Sequence, residues 1–333
     1  MNKLIHLQKL LSVDNGAIGH VLLLHRVCRD NNYYINDYLK ITPEYLELVI
    51  RFFKSRDIEI VSLDECYHRI RNGEKSKQFV AFTIDDGYAD ILIHALPVFE
   101  REKIPFTLFL STCFPNHEIV LWWYMLEDLV FRSNTVSIKD GEKAQIFRTV
   151  SWREKNDAFW KIRAIIMKFG HESLNSNLAE IFGETYPDVF LLTRKLSLSW
   201  DQVVSLSDHP LVTIGTHTVN HLALSKLNEN IAKEEILRSI KIISEKIGKP
   251  VSYLAYPYGS VNEASEREYD IAEDCNIKMA FTAIEGSLYK HHSGRLTALP
   301  RISLTQSGNM SKMSTFLNRF NHFLSYKLSN HRH

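Results

Sequence analysis

Two carboxylates stand side by side in FTIDDGYAD, Phe82 to Asp90, at the end of the apolar run Phe79, Val80, Ala81, Phe82. Adjacent like charges are costly when partly buried, so a site that keeps both divides them between tasks or neutralises one with a cation. The bland alternative is a turn at a strand end, because Asp-Gly is a strong turn signal. A cation needs further ligands, and GTHTVNHLAL offers His217 and His221, four residues apart and directly after the strand-like run Leu211 to Gly215. On a helical turn, positions i and i+4 face the same way, so this spacing predicts both imidazoles on one ion. A His pair alone is weak evidence, since exposed histidines at this spacing often ligate nothing. Two His nitrogens and one Asp oxygen leave coordination positions open for water and substrate, the arrangement of a catalytic rather than a structural divalent site. Only one of Asp85 and Asp86 need bind the ion, and the other is then suited to take a proton from a water beside it. A third stretch, YLAYPYGS, brackets Tyr258 between Pro257 and Gly259 just beyond a strand. Such a turn exposes backbone N–H groups that can donate to a developing oxyanion, although PYG alone is merely a loop.

These residues need a scaffold that brings strand ends together. Short β-rich runs recur with helical segments between them: Val21 to His25, Glu59 to Ser62, Phe79 to Ile84, Phe106 to Ser111, Leu211 to Gly215, Tyr253 to Tyr256, Met279 to Ala283 and Arg301 to Leu304. That alternation predicts a parallel α/β sheet or barrel. The clearest helix is Asn228 to Ile247, where Ile231, Ile236, Leu237, Ile240, Ile243 and Ile247 recur at helical spacing before Gly248 and Pro250; it reads as an outer helix packed on a barrel. From about Asn116 to Leu198 the rhythm breaks, through LWWYMLEDLV and polar helical stretches such as Trp152 to Phe169. No repeat or linker separates two domains, so the expectation is one α/β domain over 1–333 with a mainly helical insertion at about 116–198. Trp122, Trp123 and Tyr124 in that insertion are suited to stacking on sugar rings or to packing against the barrel.

The 333 residues, 45% of them hydrophobic, can bury a substantial core without disulfides. A net charge of +1 with scattered Lys and Arg gives no case for nucleic acid or an acidic partner. Cys28, Cys66, Cys113 and Cys275 stand far apart with no CxxC pair, and read as free thiols in a reducing compartment. No export signal is evident at the N-terminus, and no apolar run is long enough to span a bilayer.

TIDDG, HTVNH and AYPYG, in this order and at strand ends, resemble the motifs of the polysaccharide deacetylases, the NodB-homology domain of carbohydrate esterase family four. The resemblance runs from about Val21 to Leu304, interrupted by the insertion. It implies an incomplete or distorted (β/α) barrel that removes acetyl groups from N-acetylated amino sugars using one divalent ion, most often Zn2+, with Co2+, Ni2+, Fe2+ or Mn2+ as alternatives. By this resemblance Asp85 is the general base, Asp86, His217 and His221 are the metal ligands, and the Tyr258 backbone N–H serves the oxyanion. The chain departs from the family in three places. Ile84 stands where Phe is usual. Ala255 stands where an arginine usually partners the catalytic Asp, and Arg301 in LPRISL resembles the arginine some subgroups use instead. No LxH motif is present near the C-terminal end, whereas His25, ending VLLLHRV, resembles the acid histidine that a subgroup takes from its first strand. A buried, structurally satisfied His25 is the plain alternative, and His291 and His292 in KHHSG read as solvated.

The expected partner is therefore an N-acetylated amino-sugar glycan. A deformylase or other small-amide hydrolase on a lipid-linked sugar, and a noncatalytic glycan-binding barrel, are the competing readings. A basic amphipathic helix is expected at about 311–328, with Phe316, Leu317, Phe320, Phe323 and Leu324 on one face, and Leu4, Leu7 and Leu11 repeat the pattern weakly. Such a helix can lie on anionic lipid, which would put a cytoplasmic enzyme at the inner membrane face; packing onto the barrel is the alternative.

Overall fold

The computed structural model describes residues 16–29, 35–72, 77–140, 143–170, 172–182, 185–186 and 188–305. The amphipathic helix expected at 311–328 and its weaker N-terminal counterpart lie outside these residues.

Seven parallel strands close into a barrel: β1 (Gly19–Leu24), β2 (Phe79–Asp86), β3 (Phe106–Leu110), β4 (Val212–Thr216), β5 (Tyr253–Ala255), β6 (Met279–Glu285) and β7 (Leu299–Ser303). Neighbours follow chain order from β2 to β7, and β1 closes the ring by pairing with both β7 and β2. A two-residue strand, Glu59–Ile60, pairs beside the start of β2. The distorted barrel expected from sequence is thus a closed ring of seven strands.

Alternation along the strands divides the core in two. Val21, Phe79, Ala81, Phe109, Ala255, Phe281 and Leu299 share one cluster that also takes in Leu63, Cys66 and Ile70 of the helix Leu63–Asn72. The alternate residues Leu22, Leu24, Val80, Phe82 and Ile84 belong to another, with Leu46, Val49 and Phe53 of the helix Pro43–Ser55. Gly215 is required on β4, because a Cβ there would lie 2.5 Å from the Phe109 ring.

The expected Asn228 to Ile247 helix is α1 (Glu229–Ile247), capped by the Asn228 side chain and ended by Gly248 at φ 67°. Between β3 and β4 lie the helices α2 (Trp122–Arg132), α3 (Trp152–Ile166), α4 (Leu174–Phe182) and α5 (Leu191–Leu196), with an antiparallel hairpin of Thr135–Asp140 and Lys143–Arg148. Leu126, Val130, Phe159, Ile162, Leu178 and Phe182 of this segment share a core cluster with Tyr88 and Phe114 from the barrel loops. All four cysteines are buried free thiols. No described helix is long and apolar enough to cross a membrane.

Candidate active site

Asp85 and Asp86 end β2, paired in register with Phe109 and Leu110 of β3. Strict strand alternation would send the two carboxylates to opposite faces. The chain escapes this at Asp86, whose φ of 84° breaks the extended backbone, and both side chains line one cavity at the barrel mouth. Gly87 follows at φ 152°, where a Cβ would meet Leu110 at 2.9 Å and Phe114 at 3.0 Å. Thus the Asp-Gly turn signal and the paired carboxylates describe the same few residues.

His217 follows β4 directly, and its N–H is held by the Leu110 carbonyl at 2.8 Å. The segment from His217 to His221 is not a helical turn, as the spacing suggested, but a loop with left-handed backbone at Thr218 (φ 67°) and His221 (φ 54°). These two residues turn the chain back, so the imidazoles converge by loop shape. Glu235 on α1 fixes that shape, accepting hydrogen bonds from the backbone N–H groups of Val219 (3.0 Å) and Asn220 (2.8 Å).

The Nε2 atoms of His217 and His221 lie 3.5 and 3.2 Å from Asp86 Oδ1. Among the described residues this is the one group of three such side chains whose ligand atoms converge, all within 4.8 Å of one another. Its chemistry fits a divalent cation. His217 Nδ1 lies 2.7 Å from the Ala255 carbonyl, which can only accept, so the ring proton sits there and Nε2 keeps its lone pair. Burial pushes the His217 imidazolium down to about 4, against the pull of Asp85 and Asp86, so the ring is neutral. Burial alone would raise the Asp86 carboxyl, but the hydrogen bond and charge of His221, with His25 and His217, bring it down to about 2. Ionised carboxylate and neutral imidazole are the metal-binding forms.

Asp85 meets a different partner. Arg301, on β7 and 1% exposed, donates from both terminal nitrogens to the two Asp85 oxygens at 2.7 Å each. The guanidinium is itself anchored by the Thr282 carbonyl at 2.9 Å and Thr83 Oγ1 at 3.1 Å, and Thr83 donates in turn to the Leu22 carbonyl. A buried charge is thus matched by a bidentate partner, two of whose three remaining N–H donors are also used.

Tyr258 sits in left-handed backbone at φ 61°, in a turn closed by Gly259 N–H donating to the Pro257 carbonyl at 2.7 Å. Gly259 has φ 59°, and a Cβ on it would lie 2.6 Å from the Ala283 nitrogen. No group among the described residues accepts from the Tyr258 N–H, while its ring packs against His221 with centroids 4.9 Å apart. His25 follows β1, is half-buried, and lines the same cavity. His291 and His292 do not line it; they pack on Tyr289.

The cavity, about 200 Å³, is completed by residues with no sequence motif: Tyr38, Trp122, Trp123 and Arg163. Trp122 and Trp123 are both buried, so the aromatic cluster packs in the core and also walls the site.

A polysaccharide deacetylase family model matches residues 187–280, which hold the histidine and Tyr258 motifs but not TIDDG. Solved structures cover nearly the whole chain. The Streptococcus pyogenes deacetylase PplD in complex with acetate aligns with a TM-score of 0.55 at 15% identity, over 87% of this chain and 94% of that one. The barrel has the polysaccharide deacetylase fold. IcaB from Ammonifex degensii aligns at 0.54 and 17% identity over 87% of this chain and 93% of that one. A de-N-acetylase from Aggregatibacter actinomycetemcomitans aligns at 0.52 and 16% identity, over 90% and 99%. No curated protein matches the chain in sequence. The polysaccharide deacetylase fold accounts for the barrel and its strand-end site; activity must be argued from the site's own groups.

Proposed function

We propose that this chain is a hydrolase that removes the acetyl group from an N-acetylated amino sugar within a glycan. Asp86, His217 and His221 would hold a divalent ion, zinc first among Zn2+, Co2+, Ni2+, Fe2+ and Mn2+. The observation that carries this reading is that the buried Asp86, His217 and His221 group shares one cavity with a second carboxylate, Asp85, clamped by Arg301.

When bound, the ion supplies Lewis acidity toward an amide carbonyl and a water. The other requirements of amide hydrolysis fall to side chains and backbone. Asp85 acts as general base: Arg301 engages one lone pair on each oxygen, which leaves the others free to take a proton from the attacking water. Tyr258 N–H, unclaimed within the described residues, donates to the carbonyl oxygen as it becomes negative. His25 protonates the departing amine; its half-buried place on the cavity wall and lack of a hydrogen-bond partner among the described residues support an exchangeable proton over a structural tie. The aromatic wall offers faces for a sugar ring.

The purified full chain, loaded with metal and incubated with N-acetylhexosamine oligomers, should release acetate, and chelation should stop it. Formate should be assayed in parallel on an N-formylated oligomer, because the same groups would serve a formamide. Fully metal-loaded protein that releases neither acid, yet binds the oligomers, would overturn the hydrolase in favour of a glycan-binding barrel.

A further inference from the structure

Six arginines among the described residues are partly or fully buried: Arg26, Arg69, Arg163, Arg267, Arg295 and Arg301. Five of them meet a carboxylate: Asp90, Glu59, Glu268, Glu266 and Asp85 respectively, each within 2.6 or 2.7 Å. Arg163 meets none. Charges withdrawn from water are ordinarily paired, so this exception needs an account.

Arg163 lies on α3, in the segment between β3 and β4, and lines the same cavity as Asp85, Asp86, His217 and His221. Its guanidinium packs on the Trp160 ring, 5.6 Å from the centroid, which uses one face and none of its donors. Trp160 in turn contacts Tyr38, with centroids 5.9 Å apart. The positive charge is felt by the Tyr38 and Tyr258 hydroxyls across the mouth; both phenols are raised mainly by burial, and in both the Arg163 charge opposes that. The five donors of Arg163 reach no carboxylate among the described residues, and the planar fork suits a two-oxygen anion. The cavity also holds the reacting groups, so an anion seated here belongs to the sugar being hydrolysed or to its immediate neighbour.

We infer that the glycan carries an oxyanion, a phosphate ester or a carboxylate, next to the acylated amine, and that Arg163 is the specificity-determining residue that receives it. This rests on the hydrolase reading above.

The test compares metal-loaded wild type, Arg163→Gln and Arg163→Lys on three short N-acetylated oligosaccharides: neutral, phosphorylated, and bearing a uronic acid. Wild type should prefer a charged substrate by roughly tenfold to a hundredfold in kcat/KM, the scale of a charge-assisted hydrogen bond pair. Arg163→Gln should erase that preference through KM, with a loss at least roughly tenfold larger on the charged oligosaccharides than on the neutral one, and Arg163→Lys should restore part of it. Whichever charged substrate is favoured identifies phosphate or carboxylate as the source. Equal rates on charged and neutral substrates, or an Arg163→Gln loss as large on the neutral one, overturns the inference. Calorimetry with N-acetylglucosamine 1-phosphate against N-acetylglucosamine separates the two proposals. Arg163-dependent binding of the phosphorylated sugar without any acid release would sink the hydrolase and keep this site; acid release with no dependence on Arg163 does the reverse.

Discussion

The barrel rim and the segment between β3 and β4 both wall the cavity, but they do so by different means. On the rim, most of the proposed reacting groups are fixed by specific bonds: Asp85 by Arg301, His217 by the Ala255 carbonyl, the His loop by Glu235. The intervening segment contributes broad surface, Trp122 and Trp123 buried in its own core, with Arg163 left without a carboxylate. The contrast separates chemistry from selection. On the proposed reading, groups that must hold one protonation state and one direction are tied at strand ends, whereas groups that would judge the substrate ride on an element that can vary without disturbing the ring.

Substitutions on the two sides should therefore fail differently. His217→Ala should abolish both metal content and turnover, whereas Asp85→Asn should keep the metal and reduce kcat by about a hundredfold or more. Elemental analysis alongside kinetics checks this pair, and an active, metal-replete His217→Ala protein would break the ligand assignment. Arg301→Gln leaves Asp85 charged and unpaired in a buried position, which should cost about 3–5 kcal/mol in urea unfolding as well as activity. A variant of wild-type stability would mean that the clamp does not matter to the fold.

Acidification sharpens the same contrast on the rim alone. In metal-free protein His217 is held down to about 4, below its ordinary 6.5, so the unfolded chain binds a proton there that the folded chain refuses. Stability from this group is complete above 6.5 and is lost as pH falls toward about 4. Asp86 adds a second loss, between 3.8 and about 2. Urea midpoints of metal-free wild type should decline across the first window more steeply than those of His217→Ala; parallel curves would contradict a buried neutral ring. The smallest effect is expected from the insertion wall: Trp122→Ala should raise KM several-fold with metal content unchanged. A change in metal content instead would place Trp122 among the groups that hold the rim.

The same division explains what the sequence disclosed. TIDDG, HTVNH and AYPYG were legible because each packs its chemistry into a few consecutive residues at a strand end, and the alternation of β-rich and helical runs announced the barrel. The helical-turn geometry for His217 and His221 was wrong because spacing alone does not reveal two left-handed residues between strand and helix. Glu235 was invisible for another reason: it sits on an ordinary amphipathic helix, and its value depends on which loop that helix meets. Thr83 and Arg163 were hidden likewise, by sheet order and by the docking of a distant helix.

Ring closure by β1 has a kinetic consequence. His25 follows the first strand and Arg301 lies on the last, while Asp85 and its guanidinium partner are 216 residues apart in the chain. Contacts of such long range are slow to form, and a chain emerging from the ribosome has made β2 long before Arg301 exists. Until the seventh strand arrives, Asp85 has no counterion and the barrel has an open edge. The seventh strand thus completes the sheet and the Asp85 ion pair in one event.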